Sequence, residues 1–112
     1  MTFIEAIARQ EGSLRAHPLW DNPGDIEDGP WAQRHGALPP VPGQRFARWP
    51  TVEAGFKAME ALLLYNYIGL TVLQGIQKWA PAVENDDDIY VRNVCEWTGL
   101  APTDILTIQN IG

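Results

Sequence analysis

Acidic side chains cluster early in the chain in a pattern that suits acid catalysis. Glu11 ends an apolar stripe, and further acids follow it closely at Asp21, Asp25, Glu27 and Asp28. Cleavage of a glycosidic bond requires a carboxylic acid with a raised pKa, often helped by a second carboxylate or an activated water. We therefore take Glu11 as the candidate general acid and Asp25 as its candidate helper.

The helix that carries Glu11 is predicted from hydrophobic spacing. Phe3 and Ile7 lie one helical repeat apart, and Glu11 continues the same stripe, so its carboxylate is expected to face the interior. Gly12 is the expected end of the helix. Burial disfavours the charged form and raises the pKa of a carboxyl group, as a general acid requires. The spacing also fits a structural carboxylate that accepts hydrogen bonds from loop amides, and Asp25 also fits a turn-forming aspartate after Pro-Gly.

Other catalytic chemistries find little support in the sequence. The two histidines, His17 and His35, fall in an irregular region, and the single cysteine, Cys95, is expected to be a buried structural thiol. Too few histidines and cysteines are present for a zinc site. The acidic run that begins at Asp86 lacks the pattern of a calcium loop. We expect no metal and no cofactor.

Composition predicts one globular domain over residues 1–112. The chain is 46% apolar and 20% charged, and its net charge is −6. This charge argues against a nucleic-acid partner and gives no general attraction to anionic membranes. The chain opens with no signal-peptide pattern and has no apolar run long enough to span a bilayer. We expect a monomer that does not insert into membranes.

Four to five helices are expected to position the acidic residues. Thr2 and Glu5 have the spacing of a capping box at the first helix. Thr51 is the expected N-cap of a largely buried second helix, in which Gly55 predicts the close approach of another backbone. Residues 102–108 are expected to form a short last turn or helix.

Two further helices follow the second. Thr71 is the expected N-cap of a third helix, Val72–Trp79, and Asn85 is the expected N-cap of a fourth. Helical spacing places Leu73 on the inward face of the third helix and Ile89 on that of the fourth. Glu84 and Asn85 are expected to brace the fourth helix rather than to contact a ligand.

Residues 13–50, between the first two helices, are rich in proline, glycine and tryptophan. Such a composition excludes long helices, and a loop of this length inside a small domain is usually functional or contains short strands. Residues 25–27 and 45–49 are predicted as short, paired strands. The predicted fold class is therefore mainly α (α+β), with a small irregular β lobe inserted after the first helix.

Tryptophan is frequent for a chain of this length. Trp20, Trp31 and Trp49 lie in the irregular lobe, where their rings could stack against sugar faces. Trp79 and Trp97 lie on helical stripes and are expected to pack in the core.

Short motifs spread along the chain form a combination that is specific, although each piece alone is common. They are Glu11-Gly12, Asn22-Pro23-Gly24-Asp25-Ile26, Gly29-Pro30, His35-Gly36-Ala37, Arg45-Phe46-Ala47, Ala54-Gly55-Phe56-Lys57-Ala58, Gly69-Leu70-Thr71, Trp79-Ala80-Pro81, Glu84-Asn85 and Tyr90-Val91. Together they resemble a family of small phage and prophage proteins, related to endolysins and lytic transglycosylases and often labelled phage structural proteins. The likeness runs from Ile4 to about Gly99.

The resemblance implies a lysozyme-like fold, with a helical lobe, a small β-rich lobe and a sugar-binding cleft between them. It also implies that Glu11 protonates the glycosidic oxygen and that the Asn-Pro-Gly-Asp-Ile segment lies on the cleft wall. Many relatives of the broader group carry asparagine where this chain has Asp25. A base, a water-positioning residue and a structural residue therefore remain open as roles for Asp25.

We expect a muramidase or lytic transglycosylase that cleaves peptidoglycan glycan strands between MurNAc and GlcNAc. Glu11 is the candidate general acid and Asp25 its helper, and the candidate sugar contacts are Asn22, His35, Trp49 and Tyr90. The alternatives are a non-catalytic virion or interaction protein and a glycan-binding module. The protein is expected to be made in the bacterial host cytoplasm and to act on the cell wall or be carried in the virion.

Overall fold

The fold is built mainly from helices that begin at side-chain caps. The computed structural model describes residues 1–12, 19–81 and 86–112. Within these ranges the helices are α1 (Phe3–Gln10), α2 (Pro30–Arg34), α3 (Val52–Asn66), α4 (Val72–Trp79), α5 (Asp87–Thr98) and α6 (Ile108–Ile111), with a 3₁₀ turn at Leu19–Asp21. The predicted mainly helical class is confirmed. The helix count exceeds the prediction because α2, a helix of five residues, lies in the segment that was predicted to be irregular.

The helix caps largely follow the sequence predictions. Thr2 forms the predicted capping box with Glu5 at α1, and Thr51 and Thr71 accept hydrogen bonds from the first turns of α3 and α4. At α5, however, the cap is Asp86, whose side chain accepts from the backbone amide of Ile89. The predicted cap Asn85, which lies outside the described residues, is therefore wrong by one position, because aspartate and asparagine cap equally well. No helix in the described ranges is long and apolar enough to cross a membrane.

Helix α1 is the central helix of the hydrophobic core and packs against α3, α5 and α6. Phe3 and Ile7 on α1 are completely buried, as are Met59 on α3 and Val94 on α5. This packing fixes the orientation of α1 and therefore the position of the residue that ends it.

The predicted inward positions of Leu73 and Ile89 are wrong, since these side chains are 38% and 47% exposed. Both residues lie at the margins of the apolar stripes of their helices.

The predicted pairing of residues 25–27 with 45–49 forms, but as one antiparallel bridge rather than a sheet. The bridge joins Glu27 to Phe46. Beside it the backbone amide of Ala47 donates to the carbonyl of Ile26 over 3.0 Å. The pairing stops there because Asp25 has a left-handed φ of 51° and because α2 begins three residues after Glu27. Proline at the first position of α2 was an available helix signal.

The predicted close approach at Gly55 is confirmed. A Cβ atom at this position would overlap the backbone carbonyl of Asp21 and lie 2.8 Å from Cδ of Pro23. Helix α3 therefore presses directly against the chain segment that leads to Asp25. This contact sets the position of that segment relative to the core.

Candidate active site

Glu11 lies at the C-terminal end of α1, where α5 crosses it. Glu11 is itself the C-cap residue of α1, and Gly12, whose φ is 78°, turns the chain out of the helix. Tyr90 of α5, which is 2% exposed, donates its hydroxyl to Oε1 of Glu11 over 2.9 Å. One position earlier, Oε1 of Gln10 accepts from Nδ2 of Asn93 over 3.0 Å. The half-buried Glu11 carboxyl is thus held between two packed helices.

The segment Asn-Pro-Gly-Asp-Ile brings Asp25 to the same place. Asn22 organises it from behind: its Nδ2 donates to the carbonyls of Ile26 (2.9 Å) and Ala47 (3.0 Å), and its Oδ1 accepts from the Ile26 amide (2.9 Å). Asn22 is 2% exposed. These bonds fold the segment into a tight turn whose outer corner is Asp25.

Backbone strain is concentrated around this turn. Trp20, Asp21 and Asp25 have φ values of 57°, 54° and 51°, in the left-handed region that side chains other than glycine rarely adopt. Such conformations persist only where the surroundings impose them, and they cluster at functional sites. The strain is smaller at Asp21 and Asp25 than at Trp20, because aspartate tolerates the left-handed region better than tryptophan does.

Glu11 and Asp25 are hydrogen-bonded to each other through their carboxyl groups. Burial, followed by the hydrogen bond to Asp25, raises the pKa of Glu11 to about 7. The hydrogen bond from Tyr90 opposes this effect because it stabilises the charged form. Tyr90 itself stays protonated, since burial and the nearby Glu11 raise the pKa of its hydroxyl. At neutral pH the site therefore offers a carboxylic acid that can donate a proton.

The carboxyl pair opens onto a cavity of about 420 Å³. Its wall combines acidic, aromatic and basic side chains. These are Glu11, Asp25 and Glu27, then Phe46, Tyr67 and Trp79, then Arg45 and Lys78. Glu11 and Asp25 are half-buried, whereas Glu27 is exposed. A half-buried acid beside aromatic faces and hydrogen-bond donors is an arrangement that can bind and cleave a sugar chain.

Trp79 joins the cavity wall to the turn that carries Asp25. Its Nε1 donates to the carbonyl of Gly24 over 3.1 Å, and its ring contacts Tyr67 edge-on at a centroid distance of 5.7 Å. A Cβ on Gly24 would come within 2.7 Å of the Trp79 ring, so only glycine lets the turn pack this closely.

The predicted site residues divide into two groups. Glu11 and Asp25 come together at the cavity, whereas Asn22 and Trp49 are both 2% exposed and lie behind it. Trp49 donates its Nε1 to the carbonyl of His35 over 3.0 Å and so ties the lobe together.

The last two predicted sugar contacts also have partners within the protein. The His35 ring stacks on Trp31 at a centroid distance of 3.7 Å, away from the cavity lining. Tyr90 reaches the site through its bond to Glu11 and does not line the cavity. These positions give Asn22, Trp49 and Tyr90 supporting roles behind the carboxyl pair.

Sequence reasoning missed the aromatic and basic wall. Trp79 was predicted to pack in the core from its helical spacing, but it is half-buried and lines the cavity, as does Tyr67. The resemblance motif that contains Trp79 was the available signal. No pattern in the sequence singles out Lys78.

No candidate metal site lies in the part of the chain that the structure describes. Within those ranges, no group of three histidine, cysteine, aspartate or glutamate side chains is arranged to hold a metal ion. Cys95 is half-buried, and burial raises the pKa of its thiol.

Comparison of the chain with protein-family models, with curated proteins and with solved structures returned no match.

Proposed function

We propose that this protein is a peptidoglycan-cleaving enzyme of lysozyme-like fold, with Glu11 as its general acid and a lytic transglycosylase reaction as its chemistry. The observation that carries the proposal is the half-buried Glu11 carboxyl, whose pKa is raised to about 7 and which faces an open cavity. General acids work best when their pKa lies near the working pH.

The carboxyl pair favours a transglycosylase over a hydrolase with two carboxylates. Retaining enzymes hold their carboxyl groups about 5 Å apart and inverting enzymes about 6.5–9.5 Å apart, so that a sugar carbon or a water fits between them. The hydrogen bond between Glu11 and Asp25 brings their carboxyl groups closer together than either arrangement requires. In this arrangement Asp25 keeps Glu11 protonated and does not itself attack the sugar.

The reaction follows from one acid and the substrate's own hydroxyl. Glu11 donates its proton to the glycosidic oxygen between MurNAc and GlcNAc, and the bond from that oxygen to the MurNAc anomeric carbon breaks. The 6-hydroxyl of the same MurNAc then bonds to its anomeric carbon and gives its proton back to Glu11. The products are an anhydro-sugar end and a free GlcNAc hydroxyl, and the acid is restored.

Digestion of purified sacculi tests the proposal. Wild type, Glu11→Gln and the matched control Glu27→Gln are incubated with sacculi, and released fragments are identified by mass. Glu27 also lines the cavity but is paired with Arg45 on its exposed side. We expect anhydro-muropeptides from wild type and Glu27→Gln, and a loss of release of at least about 100-fold with Glu11→Gln.

The alternatives predict other results. Reducing-end products would replace the transglycosylase by a hydrolase. No release by any variant, while a control lysozyme digests the same sacculi, would contradict an enzyme. Co-sedimentation with sacculi would then distinguish a glycan-binding module from a virion interaction protein.

A further inference from the structure

One wall of the cavity combines a positive charge with two aromatic rings. Lys78 and Trp79 end helix α4, and both line the cavity together with Tyr67. The Lys78 ammonium lies 4.8 Å from the centroid of the Tyr67 ring, and that ring contacts Trp79 at 5.7 Å. Lys78 and Trp79 thus both contact the largely buried Tyr67 ring, and we call these three side chains the ammonium–aromatic wall.

The Lys78 ammonium keeps hydrogen-bonding capacity for a ligand. An ammonium group has three donors. One goes to the backbone carbonyl of Asn66 over 3.2 Å. Within the described ranges Lys78 forms no ion pair, whereas Arg45, the other cation on the cavity wall, is paired with Glu27. The Asn66 and Tyr67 contacts hold Lys78 in place at the cavity.

Lys78 carries a positive charge in a chain whose net charge is negative. The chain has a net charge of −6, and the same cavity carries Glu11 and Asp25. An anionic substituent would be repelled by the carboxyl pair and attracted by Lys78. A ligand with one carboxylate would therefore bind in a single orientation, with that group on the ammonium–aromatic wall.

We propose that the ammonium–aromatic wall selects glycan strands whose sugars carry a carboxylate-bearing ether substituent, with Lys78 pairing with the carboxylate and Trp79 packing against the sugar ring. This inference rests on the proposed function and deepens it, since it separates strands whose lactyl ether carboxyl is free, as it is once the stem peptide has been removed, from neutral N-acetylglucosamine strands. Lys78 is then a specificity-determining residue.

Binding measurements test the selection without turnover. In a Glu11→Gln background, calorimetry compares two tetrasaccharides: one alternating N-acetylglucosamine with its free lactyl ether, and one of N-acetylglucosamine alone. The variants are Lys78→Met and the matched Lys57→Met, because Lys57 is the other lysine of the chain, is exposed and is absent from the cavity lining.

We expect the acidic ligand to bind roughly two- to five-fold more tightly than the neutral one, as for an exposed ion pair. Lys78→Met should abolish the difference while Lys57→Met preserves it. The preference should also weaken when salt is raised from about 20 mM to about 500 mM, because salt screens the charges. Circular dichroism checks that both variants are folded.

Three results would overturn the inference: equal affinity for both ligands, no binding of either, or a preference that survives Lys78→Met. None of them decides the proposed function, which is judged separately by sacculus digestion. An enzyme that digests sacculi yet shows no Lys78-dependent preference would keep its reaction and lose this basis for selectivity.

Discussion

Each contact around the Glu11 carboxyl has a defined effect on its proton. Burial and the Asp25 hydrogen bond raise its pKa, and the Tyr90 hydrogen bond lowers it. Because these effects have opposite signs, replacing either neighbour should shift the titration of Glu11 in a direction that the structure fixes in advance.

Asp25→Asn should lower the pKa of Glu11. The change removes a negative charge that disfavours a second one, and the new amide can donate to an ionised Glu11. Asparagine also tolerates the left-handed backbone at this position. Carbon-13 NMR titration of labelled side-chain carboxyls measures the shift, with Glu27→Gln as the control. An unchanged or higher pKa would show that Asp25 does not hold the proton on Glu11.

Tyr90→Phe should raise the pKa of Glu11 above about 7, because the hydroxyl that stabilises its charged form is lost. The aromatic ring, which packs in the core, is retained. The same titration measures the effect. A fall in the pKa would mean that the hydroxyl does not donate to Glu11 in solution.

At the level of elements, the site depends on how α3, α4 and α5 hold the Asp25 turn against the end of α1. Gly55 allows α3 to touch the backbone at Asp21, and Trp79 of α4 holds the carbonyl of Gly24. Asn22 closes the turn from inside. The strained φ of Asp25 is the combined result of these contacts.

Gly55→Ala should destabilise the protein by about 1–2 kcal/mol, although alanine is the better helix former by about 1 kcal/mol. The added methyl group would overlap the Asp21 carbonyl, so α3 and the turn must separate. Gly29→Ala is the control, since a Cβ there meets nothing within 4 Å. Urea unfolding compares the two. Greater stability of Gly55→Ala would contradict the close packing of α3 on the turn.

Sequence patterns predicted the positions of the helices better than the surroundings of the side chains at their edges. The capping boxes and the tight contact at Gly55 could be inferred because each depends on local chemistry and spacing. The cavity wall could not be inferred, because it depends on the contact between Trp79 and the Gly24 turn, which is remote in sequence. Likewise, spacing placed Glu11 inward but could not identify Tyr90 as its hydrogen-bond partner.

At the scale of the whole molecule, the described helices form one compact body. The radius of gyration is 13.4 Å, and about 13 Å is typical of a folded domain of this length. A half-buried carboxyl group in a body this small makes a measurable contribution to the pH dependence of stability.

Glu11 should make the protein less stable as pH rises from about 4.5 to about 7. Its pKa is higher in the folded state than in the unfolded chain, so the folded state binds more protons over this range and loses that advantage as they dissociate. Glutamine has nearly the same shape as protonated glutamic acid and carries no charge, so Glu11→Gln mimics the protonated form of Glu11. We expect it to be more stable than wild type by about 1–2 kcal/mol at pH 8, after allowing for solvent screening, and nearly equal near pH 4.

Urea unfolding at the two pH values measures this difference. Asp28→Asn, which changes a carboxylate that is absent from the cavity lining, is the control. A Glu11→Gln variant less stable than wild type at pH 8 would show that the Glu11 carboxylate is stabilising, contrary to its placement.

The most direct test of Glu11 as the general acid is one pH series with two readouts, the NMR titration of its carboxyl group and the rate of muropeptide release from sacculi. The structure predicts a pKa near 7 and a release rate that falls over the same range, because the proton donor is lost as pH rises. A Glu11 carboxyl that titrates near its ordinary value of about 4.5, or release that continues unchanged after it has ionised, would contradict the assignment.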